Sequence, residues 1–241
     1  MRCGPGVTLS SFPVTINSCN ERIVLHRIAR HFMGVVFSNT LRIGSLGLEH
    51  ARRPGGYLVA CSHVSHLDPF CISVVLPRKI GWMARIEFYR HRWAAWLLRA
   101  VHAFPVNRQG VPVRAIKTAL ARLARGEVVG VFPEGEIKGR SESVLFGGPI
   151  KRGVCLLAQR SGCPILPCVV LGTDKLNAVD PWLPRLRGRL WIACGELIEP
   201  VPGPNRRAAR AEMAARVEQA LAALYAQLRE KYALDDSVVP P

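Results

Sequence analysis

The sequence predicts an α/β fold: a mixed, largely buried β-sheet flanked by helices, with an N-terminal amphipathic helix. Three observations lead there. Short continuous apolar runs, Tyr57–Cys61 (YLVAC), 127–132 (EVVGVF) and Ile165–Leu171 (ILPCVVL), read as strands covered on both faces. The stretches between them carry helical spacing, so strands and helices alternate along the chain. The 241 residues are 49% hydrophobic and 21% charged, a globular composition with enough chain to bury one large core.

Taken in order, residues 1–20 are rich in turn and cap formers and read as a loose leader. In 21–37, Ile23, Val24, Ile28, Phe32, Val35 and Val36 recur at three-and-four spacing, with Arg22, His26, Arg27 and Arg30 between them. A basic amphipathic helix of this kind can lie in a membrane interface or pack on its own domain, and the spacing admits both. The chain therefore divides into a leader with a membrane-surface helix, 1–40, and one larger domain, 41–241. Within that domain, 69–76 reads as a short helix, 82–85 as a strand, 88–101 and 113–125 as helices, and 151–160 as a helix between two buried strands. Residues 190–194 read as a further strand and 204–231 as a long Ala-rich helix.

Charge narrows the partners. Thirty-three basic against 17 acidic residues give a formal net charge of +16. Residues 71–125 hold eleven Arg or Lys and a single acid, Glu87. Such a surface calls for an anionic partner, whether bilayer, phosphorylated substrate or nucleic acid, or it is a solvated basic face. No nucleic-acid recognition module is present, and Trp82, Trp93 and Trp96 sit in apolar contexts rather than interleaved with exposed cations, so nucleic acid is not expected. None of the eight cysteines form a CxxC pair, and most lie inside apolar runs, which reads as reduced, buried thiols in a cytosolic setting. No secretory signal is read in residues 1–20, and the apolar runs fall short of the ~20 residues needed to span a bilayer.

Chemistry concentrates at strand ends. The segment Ser62-His63-Val64-Ser65-His66-Leu67-Asp68-Pro69 follows the first buried run directly, and strand ends are where α/β folds place their sites. Asp68 followed by Pro69 reads as a helix N-cap and first helical residue. The turn between His63 and Asp68 can fold the carboxylate back onto the imidazole. That contact would set the tautomer and leave the second ring nitrogen to take a proton from a hydroxyl. Read alone, the same residues are also a capped helix and a polar loop. Cys61, His63 and His66 lie close in sequence but match no zinc-ligand spacing, so no metal is assigned. A second segment, Phe132-Pro133-Glu134-Gly135, ends another buried run in a tight turn. Behind it come Lys138, Arg140, Lys151 and Arg152, with glycines that allow close backbone approach to a phosphate. Two further pieces are Phe104-Pro105-Val106-Asn107-Arg108 and Pro164-Ile165-Leu166-Pro167.

In this order and spacing, over roughly residues 40–200, the four segments resemble the glycerolipid acyltransferase family, whose best-known members are the 1-acylglycerol-3-phosphate acyltransferases. The family's His, four residues, then Asp stands here as His63 and Asp68, with Ser65 two after the His. The resemblance implies direct acyl transfer from acyl-CoA or acyl carrier protein to a lysophospholipid hydroxyl, with no cofactor. His63 and Asp68 would be catalytic, with His63 as general base and Asp68 orienting it. Ser65 would support the turn, and Arg108, Glu134 and Gly135 would hold the phosphorylated acceptor, joined by Lys138 and Arg140. It also implies a peripheral enzyme on the cytoplasmic face of an anionic membrane.

Three departures from the family pattern stand out. Ser62 replaces a common Asn, His102 a common Gly, and Glu136-Ile137-Lys138-Gly139-Arg140-Ser141 the usual Thr-Arg-Ser, as though Arg-Ser were displaced by three residues. Since these touch the acceptor contacts, another lyso-lipid such as an aminoacyl lipid stays open as acceptor. So does a non-catalytic basic membrane or nucleic-acid-binding module.

Overall fold

The continuous apolar runs become the inner strands of one seven-stranded sheet. The computed structural model describes residues 41–91, 95, 98–99, 101–107, 112–176, 188–235 and 238 of the chain. The helix expected at 21–37, the boundary at residue 40 and Arg108 lie outside them.

The strands are β1 (Leu41–Leu46), β2 (Tyr57–Cys61), β3 (Ile80–Arg85), β4 (Phe104–Val106), β5 (Val128–Val131), β6 (Ile165–Leu171) and β7 (Gly188–Cys194). Their order across the sheet is β1-β7-β6-β2-β5-β3-β4. The five strands from β6 to β4 run parallel; β7 is antiparallel to β6, and β1 is parallel to β7, so the sheet is mixed as expected. Every residue of β2 and β6 is buried, which explains why neither shows the polar alternation of a half-exposed strand.

Four helices whose bounds lie within the described residues flank the sheet: α1 (Asp68–Val75), α2 (Val113–Ala124), α3 (Gly153–Ser161) and α4 (Arg206–Tyr232). The last three pack side by side, α2 on α3 and α3 on α4, and cover β5, β2 and the β6–β7 pair in turn. Ala115, Ala119 and Leu123 form the buried stripe of α2 at the spacing of one helix face. Asn205 caps α4, its side chain accepting from Arg207 and Ala208.

One strand is added and two expectations change. Strand β1, which the sequence does not announce, has no clear alternation and is ordered by pairing with residues Gly188 to Ala193 of β7. The helix expected from residue 88 is replaced at its start by a 3-10 turn, Ile86–Arg90, which ends in extended backbone at His91; beyond it Ala95, Leu98 and Arg99 are helical. Asp68 is not a cap but the first residue of α1, after Leu67, because its carboxylate turns back to the preceding loop instead of to its own helix.

Register explains why the two chemical segments meet. In the parallel β2–β5 pair Ala60 lies opposite Val131. Each chain therefore leaves the sheet at the same level, one into Ser62-His63 and the other into Pro133-Glu134. On the other side of β2, Cys61 lies opposite Cys168 of β6, and beyond β5, Gly130 lies opposite Trp82 of β3. Four neighbouring loops thus open at the carboxyl edge of the sheet, where such folds bind ligands.

Candidate active site

The loop after β2 is organised by one carboxylate. Asp68 is wholly buried, and its Oδ2 accepts from the backbone N–H groups of Val64 (2.8 Å) and Ser65 (2.9 Å). His63 Nδ1 lies 2.8 Å from the same oxygen. The other oxygen, Oδ1, accepts from the Thr173 hydroxyl at 2.5 Å. A turn whose own N–H groups grip the carboxylate folds five residues back upon themselves, as the His–Asp spacing requires. Ser65 is buried, and its hydroxyl oxygen accepts from Leu67 N–H (3.2 Å), so it braces the turn and does not face a substrate.

The imidazole is held from a second direction. Its ring stacks on Phe132 at 4.0 Å between centroids, and Phe132 stacks in turn on Trp82 at 4.7 Å. Trp82 is anchored because its indole N–H donates to Ser73 Oγ (2.8 Å), whose hydroxyl donates to Pro69 C=O. The column has room because Gly130 faces it: a Cβ there would stand 2.4 Å from the indole.

Glu134 takes a role other than the expected one. Its Oε2 accepts from His63 N–H (2.8 Å), and its Oε1 from the Ser143 hydroxyl and Val144 N–H, both 2.9 Å. The side chain is buried and both oxygens are occupied by groups of the protein. It ties the β5 loop to the β2 loop and does not hold an acceptor phosphate. Gly135 does border the site. Its φ of +81° lies in the left-handed region, and a Cβ would meet the Lys151 side chain at 2.5 Å. Lys138 pairs with Glu136 and Glu142, both at 3.1 Å, and Arg140 lies over the Phe146 ring at 5.1 Å. Neither lines the cavity described next, because the longer loop turns its cations onto its own acids and aromatic.

That cavity, of about 600 Å³, opens at the carboxyl edge of the sheet. His63 lies at its wall, with apolar surface from Trp82, Met83, Phe88, Leu98, Val131 and Phe132. Among the described residues, Arg85 and Lys151 are the cations that line it, and Glu136 the acid. Lys151 is one of the basic residues that follow the Phe-Pro-Glu-Gly turn in the sequence; Arg85 is not singled out there, although it ends the strand read at 82–85. Beside it His66 meets Phe88 edge-on at 5.8 Å. Burial, with the nearby His63 adding to it, holds His66 below the usual histidine range. Behind the site Cys61 and Cys168 face each other across β2 and β6, and burial pushes the Cys61 thiol up, so it stays protonated and inert.

An imidazole with one nitrogen on a buried carboxylate and its ring at the wall of an apolar cavity can accept a proton from a hydroxyl bound there. The apolar surface suits an acyl chain and the two cations suit a phosphate.

Comparison with known proteins agrees. Residues 42–171 match the acyltransferase family model. A 1-acyl-sn-glycerol-3-phosphate acyltransferase of Bacillus subtilis is 31% identical over 152 residues, covering 63% of this chain and 73% of that protein. One of Streptococcus pneumoniae is 24% identical over 125 residues, covering 51% of this chain and 44% of that protein. The crystal structure of the 1-acyl-sn-glycerophosphate acyltransferase PlsC from Thermotoga maritima shares the fold with a TM-score of 0.66 at 19% identity, over 91% of this chain and 85% of that one.

Proposed function

Because the chain belongs to the acyltransferase family, we propose that it acylates the free hydroxyl of 1-acylglycerol-3-phosphate, yielding phosphatidic acid, with acyl-CoA or acyl carrier protein as donor. The observation that carries this reading is the His63–Asp68 contact of 2.8 Å at the wall of an apolar cavity that also presents Arg85 and Lys151. The names of the relatives supply the acceptor class.

In this mechanism His63 Nδ1–H donates to Asp68, and Nε2 takes the proton of the acceptor hydroxyl as its oxygen attacks the thioester carbonyl carbon. The carbon–sulfur bond breaks, and the departing thiolate recovers the proton from the imidazolium. Asp68 stabilises that imidazolium without being protonated itself. Arg85 and Lys151 bind the acceptor phosphate in place of Lys138 and Arg140, with Arg108 a further candidate. Gly135 lets Lys151 lie against the loop. The reaction takes place at the cytoplasmic surface of an anionic membrane, where both lipid substrate and product reside.

Acyl transfer from radiolabelled acyl-CoA and acyl carrier protein to a panel of lyso-lipids tests the reading. Labelled phosphatidic acid from 1-acylglycerol-3-phosphate is expected, with His63→Ala reducing turnover by at least ~10²–10⁴-fold and Asp68→Asn nearly as severe. Preferential labelling of an aminoacyl lyso-lipid would move the acceptor assignment. Normal turnover in His63→Ala would overturn the mechanism.

A further inference from the structure

Thr173 lies 105 residues from Asp68 in the chain, yet its hydroxyl donates to Asp68 Oδ1 at 2.5 Å. Both residues are fully buried. The contact follows from the sheet. β6 runs parallel to β2, and the chain leaves it at Leu171, so Thr173 reaches the level of the His63 loop two residues later. It is fixed there from both sides. Its carbonyl accepts from Leu176 N–H (3.1 Å) at the start of a 3-10 turn, and further back Val170 N–H donates to Ser62 Oγ (3.2 Å), joining β6 to the residue before His63.

The donors around Asp68 divide unequally. Oδ2 accepts from two backbone N–H groups and faces the imidazole; Oδ1 has the Thr173 hydroxyl as its side-chain donor. Two oxygens held from opposite directions leave a carboxylate no freedom to rotate about its Cβ–Cγ bond. We infer that Thr173 is a positioning residue for the reaction: its hydroxyl holds Asp68 in the plane that keeps Oδ2 on His63, making the pair a relay of three side chains from two neighbouring strand ends. The inference rests on the proposed general-base role of His63. Thr173 itself touches no substrate, and its methyl-bearing side chain packs within the core.

The test is kinetic, on the full chain in detergent or vesicles. Thr173→Val keeps the shape and deletes the donor; Thr173→Ser keeps the donor. Thr173→Val is expected to lower kcat by about ten- to hundredfold, the scale of one charge-assisted hydrogen bond, with KM for donor and acceptor unchanged. Loss of a donor to the charged carboxylate should also move the acidic limb of the rate profile to higher pH. The other titratable groups around the His63–Asp68 pair are Glu134, on the His63 backbone N–H, His66, and the thiols of Cys61, Cys71 and Cys168, and the thiols are all pushed up. Thr173→Ser should restore both kcat and limb. If Thr173→Val does not fold, Thr173→Cys against Thr173→Ser makes the same comparison, since a thiol is a poor donor. Wild-type kcat and profile in the donor-less variant, or a Ser variant no better than it, overturns the inference. His63→Ala assayed alongside separates the two levels: if it is inactive, such a result removes only Thr173, whereas an active His63→Ala removes the general-base reading as well.

Discussion

The residue that most changes the reading of the site is Glu134. A carboxylate at the tip of a Phe-Pro-Glu-Gly turn, followed by basic residues, looks from the sequence like part of an anion site. Buried among three donors, it is instead the link that sets the height of the His63 backbone. Glu134→Gln presents an amide N–H₂ to groups that are themselves donors, at a cost of about 1–3 kcal/mol for a buried mismatch. Thermal unfolding should show a lower Tm and acyl-transfer kinetics a lower kcat. A substitution that raised only the acceptor KM would return Glu134 to the phosphate. His66 gives a pH signature. The folded chain binds its proton less readily than the unfolded chain, so stability present above pH ~6.5 is lost as the pH falls through that value toward the lower folded pKa. His66→Gln should flatten the fall in Tm between about pH 7.5 and 5.5; an unchanged slope would mean that other groups carry it.

At the scale of elements, the sheet was legible where strands are buried on both faces and obscure where they are not. Ile165–Leu171 and Tyr57–Cys61 are read to the residue because a continuous apolar run needs no partner to be recognised. β1 was invisible, since its partner lies 147 residues away and only one of its six residues is buried. The same logic governs the site. His63, Asp68 and their contact follow from local spacing. Thr173 and Arg85 enter through register between strands, which no local pattern encodes, whereas Lys151 belongs to the basic run behind Phe-Pro-Glu-Gly and folds back onto that turn. The displaced Arg-Ser was legible as a departure, but not that Lys138 and Arg140 would be spent on Glu136, Glu142 and Phe146. Register also makes the β3–β5 pair a determinant of activity. Gly130 sits opposite Trp82, and the Trp82–Phe132–His63 column stands on that gap. Gly130→Ala should cost about 1–3 kcal/mol by overpacking and lower kcat by tilting the imidazole, though it touches no substrate. A destabilised variant with full kcat would show that the column does not orient His63.

For the molecule as a whole, the proposed function raises the question of how a lipid would reach this cavity. No helix among the described residues is long and apolar enough to cross a bilayer. On the proposed membrane reading, the charge of +16 would draw the protein toward anionic headgroups, at about 1 kcal/mol for each well-placed Lys or Arg. That attraction is screened over ~8–10 Å at ordinary ionic strength. Apolar contact resists salt, and the structure offers a source for it at the cavity itself. Of the four large apolar side chains that are exposed among the described residues, one lines the cavity and two directly follow residues that line it. Ile137 (39% exposed) lines it, Ile86 (43%) follows the lining residue Arg85, and Val113 (51%) follows Pro112. Each side chain buried in lipid would contribute on the order of 1 kcal/mol, enough in combination to hold the mouth against the interface. Cosedimentation with anionic vesicles should therefore weaken with salt but persist in part at high salt. The double variant Ile86→Glu, Val113→Glu should lose much of the persistent fraction and its turnover on vesicle-embedded acceptor, while keeping its Tm, since exposed substitutions change stability by only about 0.5 kcal/mol. Turnover on a dispersed short-chain acceptor should survive. The amphipathic segment 21–37 is the competing anchor, and Phe32→Glu with Val36→Glu probes it in the same assay. If that pair alone abolishes salt-resistant binding and the rim variant binds as wild type, the membrane contact belongs to the N-terminal segment. The cavity must then take its lipid from a mouth that stands clear of the surface.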